Sequence, residues 1–455
     1  MSLFGMLGMT SKALDAQRFG LDVTGNNLAN VNTPGYSKRV ADFGAVAPPD
    51  RFSAGIGVEV LGVRSMRDRL YDQRLFDESP LEQQQAAMAV SLGMAEVALG
   101  KPGSSVDADL EDFFDAFAEL AEAPTSATAR QQVLAEGEGL ARSFNGMASR
   151  LADAAKATDQ RVIEDVENIN ELTTRIAALN KSIASSPSSQ TLHLRDEQTE
   201  AIKELSGILG TQVLELGDGT VQISTRSGRA LVVGAESYPL SAVPGMPSGF
   251  ARIQAADGTD ITAELGDGHL GGMLRVRDVE IPGYQAKLDQ LAYSVATEVN
   301  ALHATGFDLT GTAGGNFFTP PAAVAGAAAA LTMDPTLMAN PSRLAAAGVA
   351  ATGDNQVARK LADLRDAGIV NGDTPSEAWA ALVYDVGADV NRAESEQASR
   401  QEIINQIEQL RDSVSGVSID EEAAMMLRYQ RAYEANARFF SVIDQTIETL
   451  LSLKR

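Results

Sequence analysis

The sequence predicts a mainly α chain with an inserted β domain, an α+β multidomain protein whose terminal heptad helices pack together. Three observations carry this. Apolar residues recur in steps of three and four at both ends. The composition, 44% hydrophobic but only 5% aromatic, suits helices rich in Ala and Leu better than an aromatic-rich sandwich. Between residues 211 and 265 the pattern changes to short alternating runs divided by turn residues.

At the N-terminus, Leu3, Leu7, Leu14, Leu21 and Leu28 are interleaved with Thr10, Gln17, Thr24 and Val31. A helix with this spacing carries a narrow apolar seam. Gly5, Gly8, Gly20 and Gly25 weaken it as an isolated helix. At the C-terminus Ser418 reads as an N-cap, with Glu421 completing a capping box. Met426, Tyr429, Tyr433, Asn436, Phe440, Ile443, Ile447 and Leu450 then form a second seam. Asn436 and the Thr10, Gln17, Thr24 series cost stability but fix register. Each seam is stable only against another helix. Residues 1–40 with 415–455 are therefore expected to form one coiled-coil-like assembly domain.

Helical patterns fill 76–100, 109–123, 127–185, 194–209, 270–303 and 376–414. The turn at 185–189, with Pro187, ends the long 127–185 pattern, and Pro282-Gly283 is expected to break the 270–303 helix. Residues 41–209 with 270–414 read as a helical bundle or rod domain, loop-rich over 306–353. Residues 210–269, with turn signals at Gly217-Asp218-Gly219, Pro244-Gly245 and Asp257-Gly258, read as a small outer β domain.

The net charge of −24 repels nucleic-acid phosphates and anionic lipid, so neither nucleic acid nor membrane insertion is expected. With no cysteine, disulfides and thiol chemistry are excluded. Met1 to Val31 has no unbroken apolar run of a cleaved signal peptide. Composition alone reads as cytoplasmic. A search for catalysis finds little: His193, His269 and His303 are far apart and lack metal-ligand spacing. Gly314-Gly315-Asn316 lacks the Lys and Ser/Thr of a phosphate loop and reads as a turn. His303 and Trp379 read as packing residues. No catalytic, metal or cofactor site is expected.

The sharpest string runs from Thr24 to Ser37. Thr33 precedes Pro34 and is pushed out of the helical region. Pro34-Gly35 suits a type II turn, so the helix must stop near Asn32. Asn26, Asn27 and Asn30 surround Leu28, and their amides ask for hydrogen-bond partners in this chain or a neighbouring one.

This string resembles the N-terminal signature of flagellar axial proteins, the rod, hook and hook-associated proteins. Its ending, from Asn32 to Ser37, is most like the hook-associated protein 1 family. The C-terminal string Ser415 to Ala424, followed by Leu427 to Tyr433, is similar to that family's C-terminal signature. The segment opening Leu194-Arg195-Asp196, and Leu270 to Asp278 with Asn300 to His303 and Gly306 to Gly311, resemble interior blocks in the same order. Two departures exist: Lys38-Arg39 replaces the more usual Arg-Gln, and the middle is shorter than in larger members.

The resemblance implies a non-enzymatic structural adaptor, passed unfolded through the flagellar type III export apparatus to the extracellular bacterial flagellum. Its implied partners are the hook protein, a second hook-associated (junction) protein, copies of itself in an axial layer, and a cytosolic export chaperone bound through the C-terminal helix. The terminal seam residues and the asparagines at 26, 27 and 30 are then the expected subunit interface. A flagellar rod or hook subunit, and a hydrolase carrying a flagellar assembly arm, stay open as alternatives.

Overall fold

The computed structural model describes residues 3–33, 35–47, 57–100, 106–186 and 191–452. Pro34 and Pro187, both expected in turns, lie outside the described residues.

The periodic stretches form helices. The N-terminal seam is α1 (Leu3–Ala29). It is followed by a two-stranded antiparallel ribbon, β1 (Arg39–Ala45) and β2 (Val58–Ser65), which no alternation singled out in the sequence had predicted. Then come α2 (Arg69–Leu99), α3 (Val106–Glu122), the long α4 (Ala127–Ser185) and α5 (Leu192–Leu209). The strand region forms two separate sheets. One has the order β3 (Thr211–Glu215), β4 (Val221–Thr225), β5 (Ala230–Val233), β6 (Glu236–Ser237), and the other is the hairpin β7 (Ser241–Pro244) with β8 (Ala251–Gln254).

The chain returns to helix in α6 (Gly268–Arg275) and α7 (Ile281–Ala304). The expected break at Pro282-Gly283 is displaced. Pro282 lies in the first turn of α7, and the irregularity is a wide π turn, Val276–Glu280, just before it. Pro282 brings no N–H, and an upstream π turn absorbs the missing bond without ending the helix. Residues 306–353 hold short pieces, including α8 (Ala327–Ala330) and α9 (Pro335–Ala339). After α10 (Gln356–Ala362), α11 (Pro375–Ser415) and α12 (Ile419–Ser452) complete the chain.

Two compact units result: Met1–Leu81, Asn168–Leu240 and Arg400–Arg455 in one, Glu82–Glu167 and Ser241–Ser399 in the other. In the first, asparagines on α4 grip strand backbone. The Asn180 amide donates to Val221 O (2.8 Å) and Gly234 O (2.7 Å) and accepts from Val221 N and Gln198 Nε2. Asn170 makes the same two-way bond with the backbone of Leu240. Four bonds satisfy the buried Asn180 amide and offset its desolvation, so it anchors the sheet, while Asn170 ties down the stretch leading into β7.

The second unit has a helical core in which Phe113, Phe117, Phe317 and Phe318 meet tilted or edge-on, with ring centroids 4.9–5.8 Å apart. The buried Arg277 of the π turn pairs with Asp159 of α4 at 2.6 Å and donates to Ala251 O of β8. Burying its head is tolerable because every exchanged bond is charge-assisted or to a carbonyl. Asn300 and His303 on the last turns of α7 organise the loop-rich segment. Asn300 bonds the backbone of Phe317 and Phe318, and His303 bridges Gly315 O (2.7 Å) and Ala345 N (2.9 Å).

His303 is fully buried, and its two bonds define one neutral tautomer: Nδ1–H donates to Gly315 and Nε2 accepts from Ala345. Burial holds its pKa below the usual value, against small opposing effects of the Gly315 carbonyl and Asp334 and a reinforcing one from Arg130. A depressed pKa contributes stability that is present above the unfolded value, about 6.5, and is lost as pH falls below it. The melting temperature of the second unit should therefore drop as pH goes from 7 to 5. His303→Phe should lower stability at pH 7 by about 2 kcal/mol or more, through two orphaned backbone groups, and flatten that acid slope. Calorimetry across this range checks both.

Candidate functional site

The two chain ends meet. α1 packs along α12, and the β1–β2 ribbon packs on α1. The most buried positions of α1 are Thr10, Ala16, Gly20, Thr24 and Asn27, a face of small residues. Leu3, Leu7, Leu14, Leu21 and Leu28 flank it and are half-buried. The contact face is thus turned away from the leucines for a steric reason. A Cβ at Gly20 would lie 2.7–2.9 Å from the ring of Tyr429, so the helices approach closely only because residue 20 has no side chain. Tyr429 also meets Phe43 of β1 edge-on at 6.3 Å.

On α12, Ile443 is buried, while Met426, Tyr429, Asn436, Phe440 and Ile447 are half-buried. Tyr433 and Leu450 are exposed. Asn436 donates to Ala432 O within its own helix. Phe439, Val442 and Leu450, 45%, 58% and 50% exposed, are spaced to share one flank of α12 that α1 does not cover.

The polar centre of the site joins both signatures. Asn27, 1% exposed, uses its whole amide. Its Nδ2 donates to Arg39 O (2.7 Å) and Glu422 Oε2 (2.9 Å), and its Oδ1 accepts from Arg39 N (3.0 Å) and the Tyr36 hydroxyl (2.8 Å). Asn26 accepts from the same hydroxyl and from Asn30, which in turn accepts from Thr33, so the asparagines fasten the end of α1. Gly35 takes φ +75° beyond it, the left-handed conformation a tight turn asks of glycine. Arg39 lies 4.8 Å over the Tyr36 ring and pairs with Asp196 at 3.0 Å. Burial pushes the Tyr36 hydroxyl up, so it stays a donor.

Lys38 bonds Glu421 (2.7 Å) and the buried Glu422 (3.2 Å). Burial works against its charge, but the bonds to Glu421 and Glu422 raise its pKa on balance, and Glu421 is held low in return. Main-chain Lys38 N donates to Ser415 O, Met66 N donates to Lys38 O, and the Ser415 hydroxyl donates to Met66 O. Ser418 does sit before α12, its Oγ 3.5 Å from Glu421 N, but the Glu421 carboxylate is turned to Lys38 and does not close the box. Tyr36, Lys38, Ser415 and Glu422 were not among the expected interface residues. The signal was there in the Tyr36–Arg39 and Ser415–Glu422 strings, without spacing that could pair them.

No group of three or more His, Asp or Glu among the described residues could hold a metal ion, and no described helix is long and apolar enough to cross a membrane. The arrangement fastens the chain ends and leaves an apolar flank of α12 exposed. Asn27→Ala would leave Glu422 to Lys38 alone and take the partner from both backbone groups of Arg39. We expect it to cost about 2 kcal/mol or more and to speed amide exchange in α1 and α12, measured by hydrogen–deuterium exchange.

Comparisons with known proteins agree with this geometry. The model of the family described as "Flagellar hook-associated protein FlgK helical domain" matches residues 92–318. "Flagella basal body rod protein" matches 10–36, and "Flagellar basal body rod FlgEFG protein C-terminal" matches 409–453, the two stretches that meet around Asn27 and Gly20. "Flagellar hook-associated protein 1" of Escherichia coli K12 is 24% identical, aligned over 99% of this chain and 100% of its own length. The protein of the same name from Bacillus subtilis 168 is 26% identical over 99% of this chain and 98% of its own. The solved structure of the flagellar hook junction protein FlgK from Burkholderia pseudomallei shares the fold, with a TM-score of 0.67 at 17% identity, covering 76% of this chain and all of that one. With rod-type ends, a FlgK-type helical domain between them and end-to-end alignment with the relatives, the chain belongs to the flagellar hook-associated protein 1 (FlgK) family.

Proposed function

We propose that this chain is a structural adaptor of the bacterial flagellum that assembles at the hook tip and joins hook to filament through a second hook-associated protein. The observation that carries this is the pairing of the chain ends. α1 and α12 form one fastened pair, yet α12 leaves Phe439, Val442 and Leu450 uncovered. An exposed apolar flank on a seam helix is energetically open to a neighbour, each half-exposed side chain gaining on the order of 1 kcal/mol on full burial. Neighbouring copies would cover these flanks in an axial layer, with Leu14, Leu21, Leu28, Met426, Tyr433, Phe440 and Ile447 on the inner seams. The FlgK-type helical domain between the ends favours this role over that of a rod or hook subunit. The family is structural, and the function needs no catalytic group.

The finer partners belong to the same proposal: hook protein on one side, the second junction protein on the other, the type III export apparatus as route, and a cytosolic chaperone on α12 before export. The destination is the extracellular flagellum.

Deleting the gene in its source organism should leave hooks bare by electron microscopy and release flagellin to the medium. Filaments on the deleted strain would end the junction reading. Val442→Asp with Phe439→Asp should block incorporation, because both side chains are outside the α1 contact, while the melting temperature of the monomer stays within about 2 °C. Leu21→Asp with Phe440→Asp should block it too, but with loosening of the paired ends. Removing residues 415–455 should abolish capture of the chaperone in a pull-down, and retained capture would place its site elsewhere.

A further inference from the structure

The stretch opening Leu194-Arg195-Asp196 has no part in the fastening of the chain ends beyond the Asp196–Arg39 pair. Beside it lies a cleft of about 380 Å³, within the first unit, walled by β2, the start of α5 and the end of β3. Its size is that of a small-ligand site. Four arginines line it: Arg64, Arg67, Arg69 and Arg195. In a chain of net charge −24 this is a concentration of the minority sign.

Two of the four are already matched. Arg67 pairs with Asp72 at 2.5 Å and Arg69 with Glu215 at 2.8 Å. Asp196, the other carboxylate on the wall, is taken by Arg39. Arg64 and Arg195 have no ion-pair partner among the described residues. Arg195 Nε is shut from solvent with no acceptor, and so is the Ser65 hydroxyl on the same wall. The exposed Asp218 feels the charge of Arg195 without bonding it. The Arg195 head is also hemmed on one side by backbone. It lies against Gly219, where an added Cβ would come within 2.2 Å of Nη2, and Gly219 has φ +85°. A guanidinium with an unpartnered Nε, a second one without an ion pair and an unpartnered hydroxyl on one cleft wall form an incomplete coordination set for an oxyanion.

We propose that this cleft is a carboxylate-binding site, filled in the assembled layer by an acidic segment of a neighbouring copy of this chain. The identity of the occupant rests on the junction reading above. Local charge complementarity selects it: the arginines of the cleft face outward from one copy, and a neighbouring copy, with 61 Asp and Glu against 37 Lys and Arg, is the source of carboxylates held alongside in such a layer. The cleft also has room for more than one carboxylate, which a lone inorganic anion would not fill.

The test uses the full chain and a fluorescent hexaglutamate peptide, read by anisotropy. Saturable binding that weakens with added salt is expected, and Arg64→Gln, a change at an exposed residue that does not endanger folding, should weaken it about tenfold. Arg195→Gln should do the same. Absence of saturable binding, or equal binding by Arg64→Gln, overturns the site. In cells, Arg64→Glu introduced into the deletion strain should restore fewer filaments than the unchanged gene. Full restoration, in a strain whose deletion leaves hooks bare, overturns the neighbouring copy as occupant and leaves the junction reading intact. Filaments on the deletion strain itself would overturn that reading, and the occupant with it.

Discussion

The arrangement of the chain ends depends on one buried amide. Asn27 holds the end of α1, the start of β1 and the first turn of α12 with four bonds. A group with two donor and two acceptor directions, all occupied, has no spare valence, and an aspartate or leucine there would leave several partners unmet. Glu422 is tolerated in the interior because Asn27 and Lys38 both answer it. The small-residue face, the ribbon and the Lys38–Ser415–Met66 backbone bonds all assume the position that this amide sets.

Close approach is the second requirement. Gly20 costs helix stability on its own, and in isolation it reads only as a weakness. Against Tyr429 it becomes the residue that lets two helices come together, with the ring filling the space a side chain would have taken. The loss in local propensity is offset by tertiary contact, which is why α1 is marginal alone and ordered beside α12.

Much of this was legible in the sequence. The helices at 127–185 and 376–414 followed from periodicity, and the paired ends followed from two seams that a single helix could not bury. The strand region was recognised from alternation and turns. What stayed hidden has physical reasons. The β1–β2 ribbon has a register shift between Asp42 and Phe43 and buries little on either face, so its alternation is faint. The π turn at Val276–Glu280 has no composition of its own, while Pro282 next to it carries the visible signal. The contact face of α1 was misplaced by part of a turn because leucine is the louder marker and glycine the decisive one. Pairings such as Lys38 with Glu421 join residues hundreds of positions apart, and no local pattern encodes them.

Asn180 of α4 holds the four-stranded sheet by its backbone, and Asn170 holds the stretch that follows it. Asn180 and Asn170 contact carbonyls and amides of residues 221, 234 and 240, not their side chains. A clasp of this kind is blind to which amino acids the strands carry. The outward positions of the sheet, such as Leu214 and Val233, can therefore drift through mutation while its mooring stays the same. The fold separates a constant attachment from a variable exterior, and lineages that share this helix can present quite different outer faces to their surroundings.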